Sequence, residues 1–239
     1  MTRPHAGGFS TFIPPPPTSN VTIVQKMGGT WASSNAGSIT LPNPLTPGNY
    51  LIAMFGGLLG YTAFVLPTGI TQEALSWGQG QNSESLIGGQ RIIQPGDPQA
   101  WVFPNTGGPG VYGNGGYLWE VTGFSQPPTF VISSVPNPNG NGSPNDSNSI
   151  TFTLANALLM ACCEFFQDIG GGSIAVDTSS PKVPAGWSVV ADESAPGSWY
   201  GALGAADNNS VPAGNYAGGF SYSPNGYNPQ SGLIVVGMQ

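Results

Sequence analysis

The sequence predicts an all-β chain, an antiparallel β-sandwich built from a duplicated strand unit, preceded by an extended Pro-rich arm. Three observations carry this. Short apolar runs bounded by Gly, Pro, Asn or Ser recur every 8–12 residues or so, the spacing of strands and turns in sandwiches and barrels. Glycine (37) and proline (24) supply 61 of 239 residues, about twice the usual share. Landmarks in the two halves match at a nearly constant separation.

In chain order, residues 1–20 form the arm. Phe12, Ile13, Pro14, Pro15, Pro16 and Pro17 fix φ four times over and favour a polyproline II rod that cannot join a central sheet. Such a segment gains order by lying against its own domain or another subunit. Residues 21–239 form the sandwich. Its strands are expected at Val21–Val24, Ile39–Leu41, Tyr50–Phe55, Gly69–Trp77, Leu86–Ile93, Ala100–Phe103, Tyr117–Val121 and Thr129–Ile132. They continue at Ile150–Leu154, Leu158–Phe166, Ser173–Val176, Trp187–Ala191, Trp199–Ala206, Tyr216–Tyr222 and Leu233–Val236. Leu154–Phe166 has helix-forming residues but no cap before it and reads as strand.

The pseudo-repeats span about 30–134 and 149–239, joined by an Asn-, Gly- and Pro-rich loop at 135–148. Pro67-Thr68-Gly69 and Pro184-Ala185-Gly186 are 117 residues apart, and Gly116 and Gly232 are 116 apart. The halves are expected as two facing half-sheets or as two small packed sandwiches.

Net charge is −7 with four Lys+Arg, which leaves no electrostatic footprint for nucleic acid. No apolar run reaches 18 residues, so no membrane helix is expected. Residues 1–8 lack the apolar stretch of a secretory signal, which predicts synthesis in a cytoplasm and leaves the Asn-x-Ser/Thr sites without meaning. The single histidine, His5, lies in the arm, away from any Ser-His-Asp arrangement. Cys162 and Cys163 are neighbours, a strained spacing for a disulfide, and read as reduced apolar residues of a buried strand. No catalytic, cofactor or metal residue is assigned. Asp192 with Glu193, Glu164 with Asp168, or Glu120 with a distant acid could form a glycosidase pair, but solvated strand-end acids explain them more simply. Asn137–Asp146 holds only one carboxylate, too few for calcium. Trp119 and Trp187 are expected in the core, whereas Trp101, Trp199 and Tyr200 adjoin polar loops and are candidate glycan contacts.

The order Ser-x-Thr-x-Pro, Gly48–Ala53, Pro-x-Gly-Trp/Ile, Gly-Asp/Asn turn and an apolar strand carrying Glu120 resembles a β-sandwich unit of bacteriophage virion proteins and some bacterial surface proteins. Gly48-Asn49-Tyr50-Leu51-Ile52-Ala53 and Pro184-Ala185-Gly186-Trp187-Ser188 carry most of the likeness. The resemblance implies a jelly-roll-like fold used for capsid decoration, fibres or adhesion. The expected function is then a non-enzymatic virion component, anchored through its arm to other virion proteins and to copies of itself. The alternatives are a carbohydrate-binding adhesin of a tail fibre or cell surface, contacting host glycans, and a carboxylate-dependent glycan hydrolase. Charged residues are only 6% of the chain, and interface cores are depleted in charge, which favours an obligate homo-oligomer.

Overall fold

The computed structural model describes residues 17–31, 37–59, 65–77, 83–104, 112–132, 149–167, 173–176, 186–194, 200–217, 219–223 and 230–239. Every strand pairing in these residues is antiparallel, and no helix occurs among them. The first eight strands are β1 (Thr22–Trp31), β2 (Gly37–Thr40), β3 (Tyr50–Leu59), β4 (Thr71–Trp77), β5 (Ser83–Ile92), β6 (Ala100–Phe103), β7 (Tyr112–Thr122) and β8 (Thr129–Ile132). The second eight are β9 (Ile150–Phe152), β10 (Ala157–Gln167), β11 (Ser173–Val176), β12 (Ser188–Ser194), β13 (Tyr200–Val211), β14 (Gly214–Tyr216), β15 (Phe220–Ser223) and β16 (Gln230–Met238).

Two five-stranded sheets dominate, ordered β1-β7-β3-β5-β4 and β8-β16-β10-β13-β12. Read in these directions, the orders are the same element by element: β3 corresponds to β10, β4 to β12, β5 to β13 and β7 to β16. Ribbons β2-β6 and β9-β14 also correspond. The likeness extends to irregularities. β4 gains one residue against β5 at Glu73, and β12 gains one against β13 at Val190, 117 positions later. Gly69 (φ 91°), which closes the Pro67-Thr68-Gly69 turn, and Gly186 (φ 80°), also 117 apart, both take the left-handed conformation that glycine adopts without a Cβ penalty.

The large sheets stack face to face. β1 lies over β12, β7 over β13, β3 over β10, β5 over β16 and β4 over β8. The sequence puts the first repeat at about 30–134, but β1 belongs to the first sheet and β8 to the second, so the units are β1–β7 and β8–β16. Each supplies one sheet, and the pair is related by a pseudo-twofold axis, an isologous interface within one chain. Ile52, Met54, Leu86 and Trp119 meet Leu158, Met160, Cys162 and Ile234 between the sheets. The outer faces are also covered. Leu51, Ala53 and Phe55 pack beneath Ile39, Trp101 and Phe103 of the β2-β6 ribbon. Leu159, Ala161 and Cys163 pack with Phe152, Trp187 and Phe220. Strands buried on both faces need no polar alternation, so Leu51–Phe55 and Ala157–Cys163 are apolar without a break. Period two is plain in the covering strand β2 (buried, exposed, buried, exposed).

Candidate functional site

Residues 17–19 meet the sandwich at Ala155, just before β10. Ala155 N–H donates to the Pro17 carbonyl (3.0 Å), and Ser19 N–H donates to the Ala155 carbonyl (2.6 Å). These two bonds make Thr18 a parallel bridge partner of Ala155. Proline has no N–H, but Pro17 needs none here, because it only accepts. The Ser19 hydroxyl accepts from Val21 N–H and turns the chain into β1. Pro17, Thr18 and Ser19 thus belong to the folded body. Phe12, Ile13, Pro14, Pro15 and Pro16 lie outside the described residues.

Clefts form beside both Gly69 and Gly186. One, of about 340 Å³, is lined by Gly69, Gln90, Arg91 and Ile92 together with Glu73 and Tyr50. The other, of about 460 Å³, is lined by Gly186, Asp207, Asn208 and Asn209 together with Gln25 and Lys26. The four residues named first in each are equivalent, 117 positions apart. The duplication has therefore kept a cleft and changed its chemistry.

In the first half, Arg91 is the organising side chain. Its Nε and Nη2 donate to Asp97 (2.7 Å each), and Nη1 donates to the Gly69 carbonyl (2.9 Å). The guanidinium lies 5.9 Å from the centroid of the Trp101 ring. It separates the Gln90 cleft from a smaller one of about 250 Å³, walled by Pro67, Pro98, Trp101 and Val102. The Arg91 hydrogen bonds hold the Asp97 carboxyl below its ordinary value, aided by the Gln94 N–H. A carboxylate with a depressed folded pKa stabilises above its unfolded value and loses that contribution as pH falls through the folded one. Below about pH 4, wild type is expected to lose stability that Asp97→Asn never had, so the two urea midpoints converge on acidification. A constant gap from pH 7 to pH 3 would sink this.

The chain matches no family model, and no curated protein or solved structure proves similar to it. What the residues do locally therefore has to carry the functional argument.

Two polar sites are structural. Glu120 of β7 is fully buried. Its carboxylate accepts from Gln25 Nε2 (2.6 Å), Asn49 Nδ2 (2.6 Å) and Thr46 N–H (3.0 Å). Gln25 in turn exchanges two bonds with the Asn43 backbone. The sequence singled out Glu120 as half of an acid pair. Its partners are amides instead, so it is a joint between β7, β1 and the β2–β3 loop. The second site joins the halves: Lys26 Nζ reaches both oxygens of Asp207 (2.7 and 3.0 Å), and Trp119 Nε1 donates to Asp207 Oδ2 (3.0 Å).

Trp101 corrects an expectation. It is 3% exposed, because β6 alternates strictly and turns Trp101 and Phe103 inward. A ring buried beneath the ribbon offers no face for a sugar. Trp119 and Trp187 are buried as expected. Trp199 lies outside the described residues, and Tyr200 begins β13. Asp192 and Glu193 are consecutive in β12, Glu164 is in β10, and Asp168 lies outside the described residues. Cys162 and Cys163 are buried in β10 and form no disulfide, and burial pushes the Cys162 thiol well above its ordinary range. A thiol held protonated is a poor nucleophile. Sequence reasoning missed Gln25, Asn49 and Asp207, whose partners lie 71 to 181 residues away.

Proposed function

We propose that this chain is a non-enzymatic structural component of a bacteriophage particle, a capsid decoration or fibre subunit anchored through its N-terminal arm. The observation that carries the reading is the arm's root. Backbone bonds at Ala155 tie Pro17 and Ser19 to the start of β10, the central strand of its sheet. A pull on residues 1–16 would pass directly into the stacked sheets, as an anchor requires. Sparse charge and the resemblance at Gly48–Ala53 and Pro184–Ser188 support the same reading.

The root also shows where to cut. Deleting residues 1–16 leaves the Ala155 bridge intact, whereas deleting through Asn20 removes it. Light scattering coupled to size exclusion is expected to give a stable multiple of 24.5 kDa for the full chain. The chain that begins at Pro17 is expected to be a monomer with the same far-ultraviolet strand signal. A multiple that survives the cut, or a full chain that is monomeric, would overturn self-association through the arm, and a cut chain that still joins the particle would overturn anchoring.

A further inference from the structure

We infer that the small cleft beside Arg91 is the receptor for the Pro-rich arm of a second copy of this chain. The inference rests on the anchoring role of the arm and names the surface it grips. Three observations converge on it.

The first is an orphaned donor. Trp101 is 3% exposed, yet its Nε1 has no hydrogen-bond partner among the described residues, and the residue lines the cleft. A buried indole N–H normally has a partner. The second is the apolar rim. Val102, with Pro67 and Pro98, walls this cleft, and Ile92 lies across Arg91 in the next. Val102 (56%) and Ile92 (48%) are among the most exposed large apolar side chains. The third is the chemistry of the occupant. Pro14, Pro15 and Pro16 lack N–H groups and offer only carbonyl acceptors, which a polyproline II conformation would leave unpaired. A segment that only accepts suits a cleft whose unpaired polar atom, Trp101 Nε1, is a donor. Sheet edges, which alternate donors and acceptors, suit it poorly. Phe12 and Ile13 would add apolar contact along the rim.

Reach is sufficient. Sixteen residues extended at about 3.1 Å each span roughly 50 Å from the Ala155 root, enough to cross to a neighbour. Docking in trans, repeated from copy to copy, builds a ring or a filament according to whether the rotation closes.

The probe is a synthetic peptide of residues 9–16, titrated into the chain that begins at Pro17 with ¹⁵N-labelled tryptophan. The indole N–H signal missing from Trp101→Phe identifies Trp101. That signal is expected to shift on titration. Val102→Glu, on the outward face of β6, is expected to weaken binding about tenfold or more, and Trp101→Phe about fivefold. Absence of binding, or binding indifferent to Val102→Glu, overturns the cleft assignment. If the full chain still multimerises through its arm in that case, the anchoring role stands and the arm docks elsewhere. If the peptide binds but the full chain is monomeric, the arm folds back on its own cleft and the second copy is refuted.

Discussion

Glu120→Leu is expected to lower the stability of the sandwich by about 4 kcal/mol, read as a fall in the urea midpoint at unchanged slope. The substitution suits the surroundings in size and polarity, since β7 is buried on both sides of the position. The cost falls on the partners. Gln25 Nε2 and Asn49 Nδ2 both reach the carboxylate at 2.6 Å in buried bonds. Each would lose its acceptor, at about 1–3 kcal/mol apiece. Thr46 is exposed, so its N–H can turn to water and adds little. Glu120→Gln separates charge from hydrogen bonding. Its oxygen can serve Thr46 and Asn49, but its NH₂ then faces the NH₂ of Gln25. Gln25 cannot flip to relieve this without breaking both of its bonds to Asn43. A loss of about 1–3 kcal/mol is therefore expected for the near-isosteric change. A neutral Glu120→Gln, or a leucine variant within about 0.5 kcal/mol of wild type, would mean that the amides find other partners.

That joint shows where sequence reading stops. Strand positions were legible because turn formers bracket each apolar run, and the central strand β10 was readable as strand despite helix-forming residues. The duplication was legible because a turn needing a left-handed glycine leaves a fixed mark, as Gly69 and Gly186 do. Double burial was not anticipated. Leu51–Phe55 shows no alternation, since neighbours along β3 enter different cores. Nearness to polar loops misplaced Trp101. Polar loops flank β6, but in a four-residue strand only the parity of a position decides whether it faces water. The polar joints were illegible for another reason. Lys26 and Asp207 are 181 residues apart and meet only because β1 and β13 lie on the same side of the stacked sheets. Nothing local to either residue announces the other.

Asp207→Ala is expected to cost about 3 kcal/mol, and Lys26→Ala about 1 kcal/mol, although both break the same ion pair. The difference lies in what each leaves behind. The Lys26 side chain is 33% exposed, so its ammonium can be hydrated when Asp207 is gone, and the ion pair itself contributes modestly. Trp119 is fully buried, and its indole N–H would lose its acceptor. Removing Lys26 leaves that bond in place and strands only a carboxylate that lines an open cleft. The two variants should therefore be far from additive, with Trp119→Phe absorbing most of the Asp207→Ala effect in a double-mutant cycle. The location of the damage is the sharper test. The pseudo-twofold equivalent of Asp207 is Gln90, whose Nε2 donates to Glu73 on the neighbouring strand and crosses no sheet interface. Among the described residues, this clamp between halves lies on the β1–β12 side. Hydrogen exchange of Asp207→Ala should quicken in β1, β12 and β13 while β4 and β8 keep their protection. Equal quickening at both edges would show that the halves separate as rigid units, and that the shared apolar core, rather than this polar clamp, sets how each edge opens.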